Sequence, residues 1–240
     1  MNLQIIRLEH DEIYGIMFPF LAHMLHKKST SYQRRPGRLS SAQKQAMHDN
    51  KFLIKTTDSK AIDCIIGRYD QCTVEIGFGM GDHLLNDVKN NPQHLHIGID
   101  LYQAGIARVL RQIVQRGDQN CYIICADASD AIAEWPAESI DRINIHHPDP
   151  WPKKRHHKRR LIQTAFIQQC LNTLKESGVI EIVTDDSDYL TDIKVLLSDR
   201  YNTKDILIES NRQATSKYGH KAISEGREIQ AIKLVKNTPR

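Results

Sequence analysis

The chain has 240 residues, 40% hydrophobic and 26% charged, so it can build one core of about 180 residues plus an appendage and is too apolar to be disordered. The net charge is +4 but unevenly spread: residues 153–160 (KKRHHKRR) hold six Lys/Arg and no acid, and residues 27–55 hold eight Lys/Arg against Asp49 alone. The rest is net negative, which points to a polyanionic partner held at defined places, while five cysteines without a CxxC exclude a disulfide framework and a zinc ribbon.

Residues 1–60 lack a clear period and read as an N-terminal extension, partly basic, that packs on the main domain or orders on its partner. It holds an apolar run, 13–25, and the basic loop YQRRPGR, 32–38. That run is too short for the ~20 apolar residues of a membrane span. It contains Pro19 and follows Glu9, Asp11 and Glu12, the wrong flank for a signal peptide. A reduced, cytoplasmic chain is expected. Ser40 or Ser41 caps a helix running toward Ile54.

From about residue 70 strands and helices alternate, and 61–240 reads as the main domain. Strand 72–76 ends in a glycine loop, and Asp82 opens helix 82–91, which Pro92 stops. Strand 94–99 ends at Asp100. Helix 102–116 carries apolar residues at 106, 109, 110, 113 and 114, and Gly117 ends it. Strand 121–126 ends at Asp127, and a short helix follows. Strand 140–146 runs into HHPDPW, helix 159–175 stops near Gly178, and strand 179–183 ends at Thr184-Asp185. After helix 187–198, β-rich pieces at 203–208 and 228–235 surround a polar segment, 210–227.

This alternation predicts an α/β, mostly parallel, doubly wound sheet, whose ligands sit at the carboxyl ends of the strands. Those five ends carry Gly77 to Gly81, Asp100, Asp127, Asp149 and Asp185, which together make a site. The loop Gly77-Phe78-Gly79-Met80-Gly81 is GxGxG, not the GxGxxG of dinucleotide sites, which counts against a nicotinamide oxidoreductase. Glu75 just before it opposes a pyrophosphate and suits a cation such as S-adenosylmethionine. Asp100 suits ribose hydroxyls, and Asp127 the adenine amino group. Pro148 and Pro150 fix the backbone around Asp149. The basic run places positive charge at a helix start, which is unfavourable unless a phosphate backbone lies nearby. The histidine pairs 146–147 and 156–157 lack metal-ligand spacing, so no metal is expected.

RRPGRLSSAQ (34–43), VEIGFGMG (74–81), GID (98–100), ADA (126–128), PDPWPKKRHHKRR (148–160), TD (184–185) and KYGHKAISEGR (217–227) together resemble the bacterial tRNA (guanine-N7-)-methyltransferases. The resemblance covers most of the chain beyond residue 33. It implies a Rossmann-like class I methyltransferase sheet with an antiparallel last strand. It also implies methyl transfer from S-adenosylmethionine to N7 of guanine 46 in the tRNA variable loop, with S-adenosylhomocysteine as product. By resemblance, Glu75, Asp100, Asp127 and Asp149 take S-adenosylmethionine positions with Gly77, Gly79 and Gly81, and Asp149 is the catalytic residue. Lys153, Asp185, Ser216, Lys217, Tyr218 and Gly219 take substrate positions.

Arg34, Arg35, Arg38, Lys154, Arg155, Lys158, Arg159 and Arg160 are expected on the RNA backbone. Gly219 replaces the family's glutamate, Ser216 its threonine, and His147 the aromatic residue often found before PDPW. tRNA is the expected partner, with no membrane or metal; monomer and homodimer both stay open. An amino-group nucleic-acid methyltransferase and a catalytically weak RNA-binding module of methyltransferase descent remain alternatives.

Overall fold

The computed structural model describes residues 38–48, 50–54, 59–210, 213 and 217–237. Its elements in chain order are α1 (Ser41–Met47), β1 (Leu53–Ile54), α2 (Ser59–Ile66), β2 (Cys72–Ile76), α3 (Asp82–Asn90), β3 (Leu95–Asp100), α4 (Gln103–Arg116), β4 (Cys121–Cys125), α5 (Ala128–Ala133) and β5 (Ile140–His146). A 3-10 helix, Lys154–Arg159, precedes α6 (Thr164–Thr173), β6 (Leu174–Thr184) and α7 (Ser187–Ser198). Then come a short 3-10 turn (Thr203–Asp205), β7 (Ile206–Glu209), α8 (Lys217–Ser224) and β8 (Gln230–Val235).

The eight strands form one sheet in the order β1-β4-β3-β2-β5-β6-β8-β7. Every pair from β1 to β6 is parallel, and β8 runs antiparallel to both β6 and β7. The expectation of a mostly parallel sheet with an antiparallel last strand holds. Val74, Ile76, Leu95, Ile97, Ile99, Ile123, Ile143, Ile145, Ile180 and Ile182 are buried. All but Ile123 share one pleat face, while Thr73, Glu75, His96, Asn144 and Glu181 lie on the other, so these strands alternate apolar and polar residues. From β2 the chain winds to one side through β3 and β4, then crosses to β5 and β6 on the other. The carboxyl ends of β2 and β5 therefore flank the topological switch point, where such sheets bind ligands.

Local signals set most boundaries. Ser40 caps α1 in a capping box with Gln43, and Gly117 ends α4 in the left-handed region at φ 74. Three expectations are corrected. The helix from Ser40 stops at Met47 instead of reaching Ile54, and Leu53 and Ile54 pair with Ile123 and Ile124 as an edge strand. Val114, expected on the apolar face of α4, is 57% exposed, so that face is Ile106, Val109, Leu110 and Ile113.

The expected helix 159–175 is two pieces. The basic run forms its own 3-10 helix, and α6 starts only at Thr164, because Arg160 turns inward and the Ile162 amide is held by the Tyr189 hydroxyl at 3.0 Å. The last residues of the expected helix belong to β6. Two helices lie where no period was legible, α2 and α8. Ile62, Ile65 and Ile66 anchor α2, and Ala222 joins Val183, Ile229 and Ala231 in a small cluster that seats α8. No helix among the described residues is long and apolar enough to cross a membrane. All five cysteines are unpaired.

Candidate functional site

The parallel order brings the ends of β4, β3, β2, β5 and β6 side by side, so Asp127, Asp100, the glycine loop, the Asp149 loop and Asp185 lie along one sheet edge. Gly77, Gly79 and Gly81 have φ of 71, 56 and 77, a region that a Cβ penalises. The loop is tied down from several sides. The Gly77 amide donates to the Ile99 carbonyl at 2.8 Å, and the Gly79 amide donates to Asp100 Oδ2 at 2.7 Å. Arg108 of α4 reaches the Met80 carbonyl and pairs with Asp82 at 2.9 Å. Gly105 of α4 comes so close that a Cβ there would lie 1.8 Å from the Gly79 carbonyl oxygen. Where side chains of Gly77 and Gly79 would project, nothing lies within 4 Å, so the loop borders open space.

Asp100 also accepts from the Tyr102 amide at 2.8 Å. Burial pushes its carboxyl up, and the amides of Tyr102 and Gly79 oppose this. Asp127 is 5% exposed and caps α5 by accepting from the Ser129 amide at 2.9 Å.

Glu75, expected to meet a cationic ligand, is 3% exposed, with Oε2 2.8 Å from Nδ1 of His83 on α3. The ring of His146 stands edge-on to His83, centroids 4.1 Å apart, and its Nε2 is 3.4 Å from Glu181. Glu75, His83 and His146 offer potential metal-ligand atoms within 4.8 Å of one another. His83 pairs with Glu75, and Arg142 and Lys233 flank the neighbouring Glu181 at 3.3 and 3.6 Å.

Burial would lower the His83 imidazole, but the hydrogen bond and charge of Glu75, with Asp87 and Glu181 behind them, raise it above its ordinary value. A histidine raised on folding stabilises the native state fully below its unfolded value near 6.5, and this is lost as pH rises through the folded value. His83→Ala should therefore cost about 3 kcal/mol at pH 6, where the imidazolium–Glu75 pair is lost, and less at higher pH, where the parent chain has itself lost the imidazolium charge. Urea unfolding of both proteins from pH 6 to 8.5 checks this; a difference that grows with pH would refute it.

The loop after β5 is anchored at its start. His147 sits at φ 49 with its amide on the Val183 carbonyl at 2.8 Å, and its Nδ1 is 2.6 Å from Asp185 Oδ1. Burial, His146 and Arg227 push the imidazole down to about 4, so at pH 7 it is neutral and Nδ1–H donates to the carboxylate. Arg227 pairs with the other oxygen of Asp185. Asp149 itself is exposed between the two prolines. Trp151 closes the loop at φ 47, with the Arg159 guanidinium 5.1 Å over its ring and His156 edge-on at 5.9 Å.

Lys153, Lys154, Arg155, Lys158 and Arg159 are exposed along the 3-10 helix, and Arg38 is exposed ahead of α1. Arg160, expected with them on RNA, is 3% exposed and committed to protein partners, which corrects that expectation. Gly219 is buried in α8. Arg34, Arg35 and Ser216, and the side chains of Lys217 and Tyr218, lie outside the described residues. Sequence reasoning missed His83 and Gly105, for which no local signal exists, gave no role to Arg227 at the end of KYGHKAISEGR, and missed the inward turn of Arg160.

Residues 70–232 match the model of the family described as "Putative methyltransferase". The chain is 38% identical over 173 residues to the tRNA (guanine-N(7)-)-methyltransferase of Nitrosococcus oceani, across 70% of this chain and 73% of that protein. It is 38% identical over 183 residues to that of Legionella pneumophila subsp. pneumophila, across 73% and 80%. Among solved structures it resembles an "Antibiotic Related Methyltransferase", with a TM-score of 0.55 at 20% identity over 77% of this chain and 99% of that one. It also resembles a 16S rRNA (adenine(1408)-N(1))-methyltransferase from Catenulisporales acidiphilia with cosubstrate SAM, with a TM-score of 0.56 at 13% identity over 76% and 93%. At these identities what is shared is the fold, the Rossmann-like class I methyltransferase architecture expected from the sequence.

Proposed function

Because the chain belongs to the tRNA (guanine-N(7)-)-methyltransferase family, we propose that it transfers a methyl group from S-adenosylmethionine to N7 of guanine in tRNA, at guanine 46 of the variable loop. The observation that carries this is the single sheet edge where the glycine loop, Asp100, Asp127, Asp149 and Asp185 meet, followed at once by an exposed basic helix. The open space beside Gly77 and Gly79, with Asp100 at its border, fits the methyl donor. When bound, the donor supplies an electrophilic methyl on a sulfonium.

Guanine N7 has an in-plane lone pair and no proton. A bound donor would supply its methyl to this lone pair in line, with the sulfur–carbon bond electrons going to sulfur, and the purine would become cationic. No general base is required. Asp149 faces that developing charge with a fixed carboxylate. Asp185, held by His147 and Arg227, has lone pairs left to accept from guanine N1–H and the N2 amino group. Lys153 borders the nucleotide, and Ser216, Lys217, Tyr218 and Gly219 are assigned to it by the family resemblance alone. The exposed basic helix takes the tRNA backbone, with Arg38 exposed ahead of α1.

Substituting Lys153, Arg155 and Arg159 together should weaken tRNA binding and lower the salt slope by roughly 0.7–0.9 for each phosphate no longer neutralised. An unchanged slope would leave the run as a solvated face. The function itself is tested by incubating unmodified tRNA with labelled S-adenosylmethionine and analysing nucleosides for 7-methylguanosine. A methylated amino group instead would favour the amino-group reading. Tight tRNA binding without transfer would favour a weak RNA-binding module, the reading that Gly219 supports.

A further inference from the structure

We propose that Arg160 is a positioning residue for the Asp149 loop: its buried guanidinium ties the Pro150 carbonyl to α7 and thereby fixes the direction of the Asp149 carboxylate. The inference rests on the methyl-transfer reading above.

Arg160 closes a run of cations that otherwise face solvent, yet its side chain is only 2% exposed. A buried guanidinium is stable only when its donors are used. Here each edge of the fork has a partner. Nε donates to the Pro150 carbonyl at 2.7 Å, Nη2 to Asp188 Oδ2 at 2.6 Å, and Nη1 to Asp192. Its carbon lies 4.6 Å over the ring of Tyr189, which is itself 1% exposed. Asp188, Tyr189 and Asp192 all belong to α7, whose start is capped by Asp186 through the Tyr189 amide at 2.8 Å. The pin therefore stands on a rigid element.

The two prolines restrict the backbone around Asp149, but they do not fix where the loop as a whole sits. That is set by its ends. At the front, His147 is held by Val183 and Asp185; at the back, Pro150 is held by Arg160. Both anchors stand on residues 183–192, the segment that leaves β6 and enters α7. Asp149 lies between them, so its placement depends on both. Lysine offers one nitrogen at the end of a flexible stem and cannot reach three partners in three directions.

The test uses Arg160→Met, Arg160→Lys and the double variant Asp188→Asn/Asp192→Asn in the full chain. Methylation kinetics, the salt dependence of tRNA binding, and acrylamide quenching of Trp151 are read in parallel. The chain has two tryptophans, so quenching is read in a Trp135→Phe background. For Arg160→Met we expect kcat to fall about 100-fold, since a misplaced catalytic group costs that much. KM for tRNA should stay within about 3-fold and the salt slope should be unchanged, as for a residue that does not bind substrate. Trp151 should become more accessible to quencher, and Arg160→Lys should recover about a tenth of the parent turnover.

Parent-like kcat in Arg160→Met would overturn the proposal, as would a lowered salt slope at unchanged kcat, which would make Arg160 a phosphate contact. Should Arg160→Met fail to fold, the double variant alters only half-exposed carboxylates and carries the same expectation at about 10-fold. A parent chain that transfers no methyl group would sink the functional reading alone, because the quenching measurement reports on the loop without the reaction.

Discussion

Asp149→Ala is expected to bind tRNA within about 3-fold of the parent chain and to lose on the order of 10²–10³ of its turnover, the usual loss when a preorganised electrostatic partner of the transition state is removed. The carboxylate is exposed, so its truncation leaves no buried cavity and folding should be unaffected. Its neighbours fix the backbone whatever the side chain is: Pro148 and Pro150 constrain φ, His147 holds the front of the loop and Arg160 the back. The loss should therefore fall on kcat and not on KM for tRNA. Asp149→Asn should behave almost like alanine, because a neutral amide of the same shape cannot offset a positive charge developing on the purine. Single-turnover methylation of unmodified tRNA measures the step directly. Near-parental rates for either variant would remove Asp149 from the chemistry.

Gly105→Ala should weaken S-adenosylmethionine binding at least about 30-fold and lower Tm by several degrees, the scale of a 1–3 kcal/mol overpacking penalty. An alanine inside a helix ordinarily stabilises by roughly 0.5–1 kcal/mol relative to glycine, so the expected sign is reversed. The reason is a backbone contact. The added Cβ would lie 1.8 Å from the Gly79 carbonyl oxygen, and no side-chain rotation relieves that. Either α4 or the glycine loop must move. The loop is tied through the Gly79 amide to Asp100, so a shift disturbs two expected donor contacts together. Calorimetric titration with S-adenosylmethionine and thermal unfolding check both arms. Unchanged affinity with a raised Tm would mean that α4 does not press on the loop.

Much of the site was legible in the sequence because it depends on local order. Apolar runs such as CTVEI and CYIIC, alternating with helical spacing, set strand and helix positions and a parallel sheet. Once parallel, the strands bring their carboxyl ends to one edge whatever the rest of the chain does. The glycine loop, Asp100, Asp127, Asp149 and Asp185 follow from that, and PDPW with its basic run supplied the family resemblance.

The sequence could not say which polar groups face inward. Burial depends on what packs against a residue from distant parts of the chain. Glu75 reads like the other acids of the site, yet His83 on the following helix closes over it. Arg159 and Arg160 are adjacent and alike, but one stacks on Trp151 at the surface while the other is drawn inside by Asp188, Asp192 and Tyr189. Leu53 and Ile54 become a strand because β4 offers a free edge, and Gly105 matters because α4 rests on the loop before it. Residue order alone thus determined the fold class and the chemistry of the sheet edge. The tertiary structure decided which charges meet solvent and which hold the Asp149 loop in place, because desolvation and hydrogen bonding are settled by neighbours that only folding supplies.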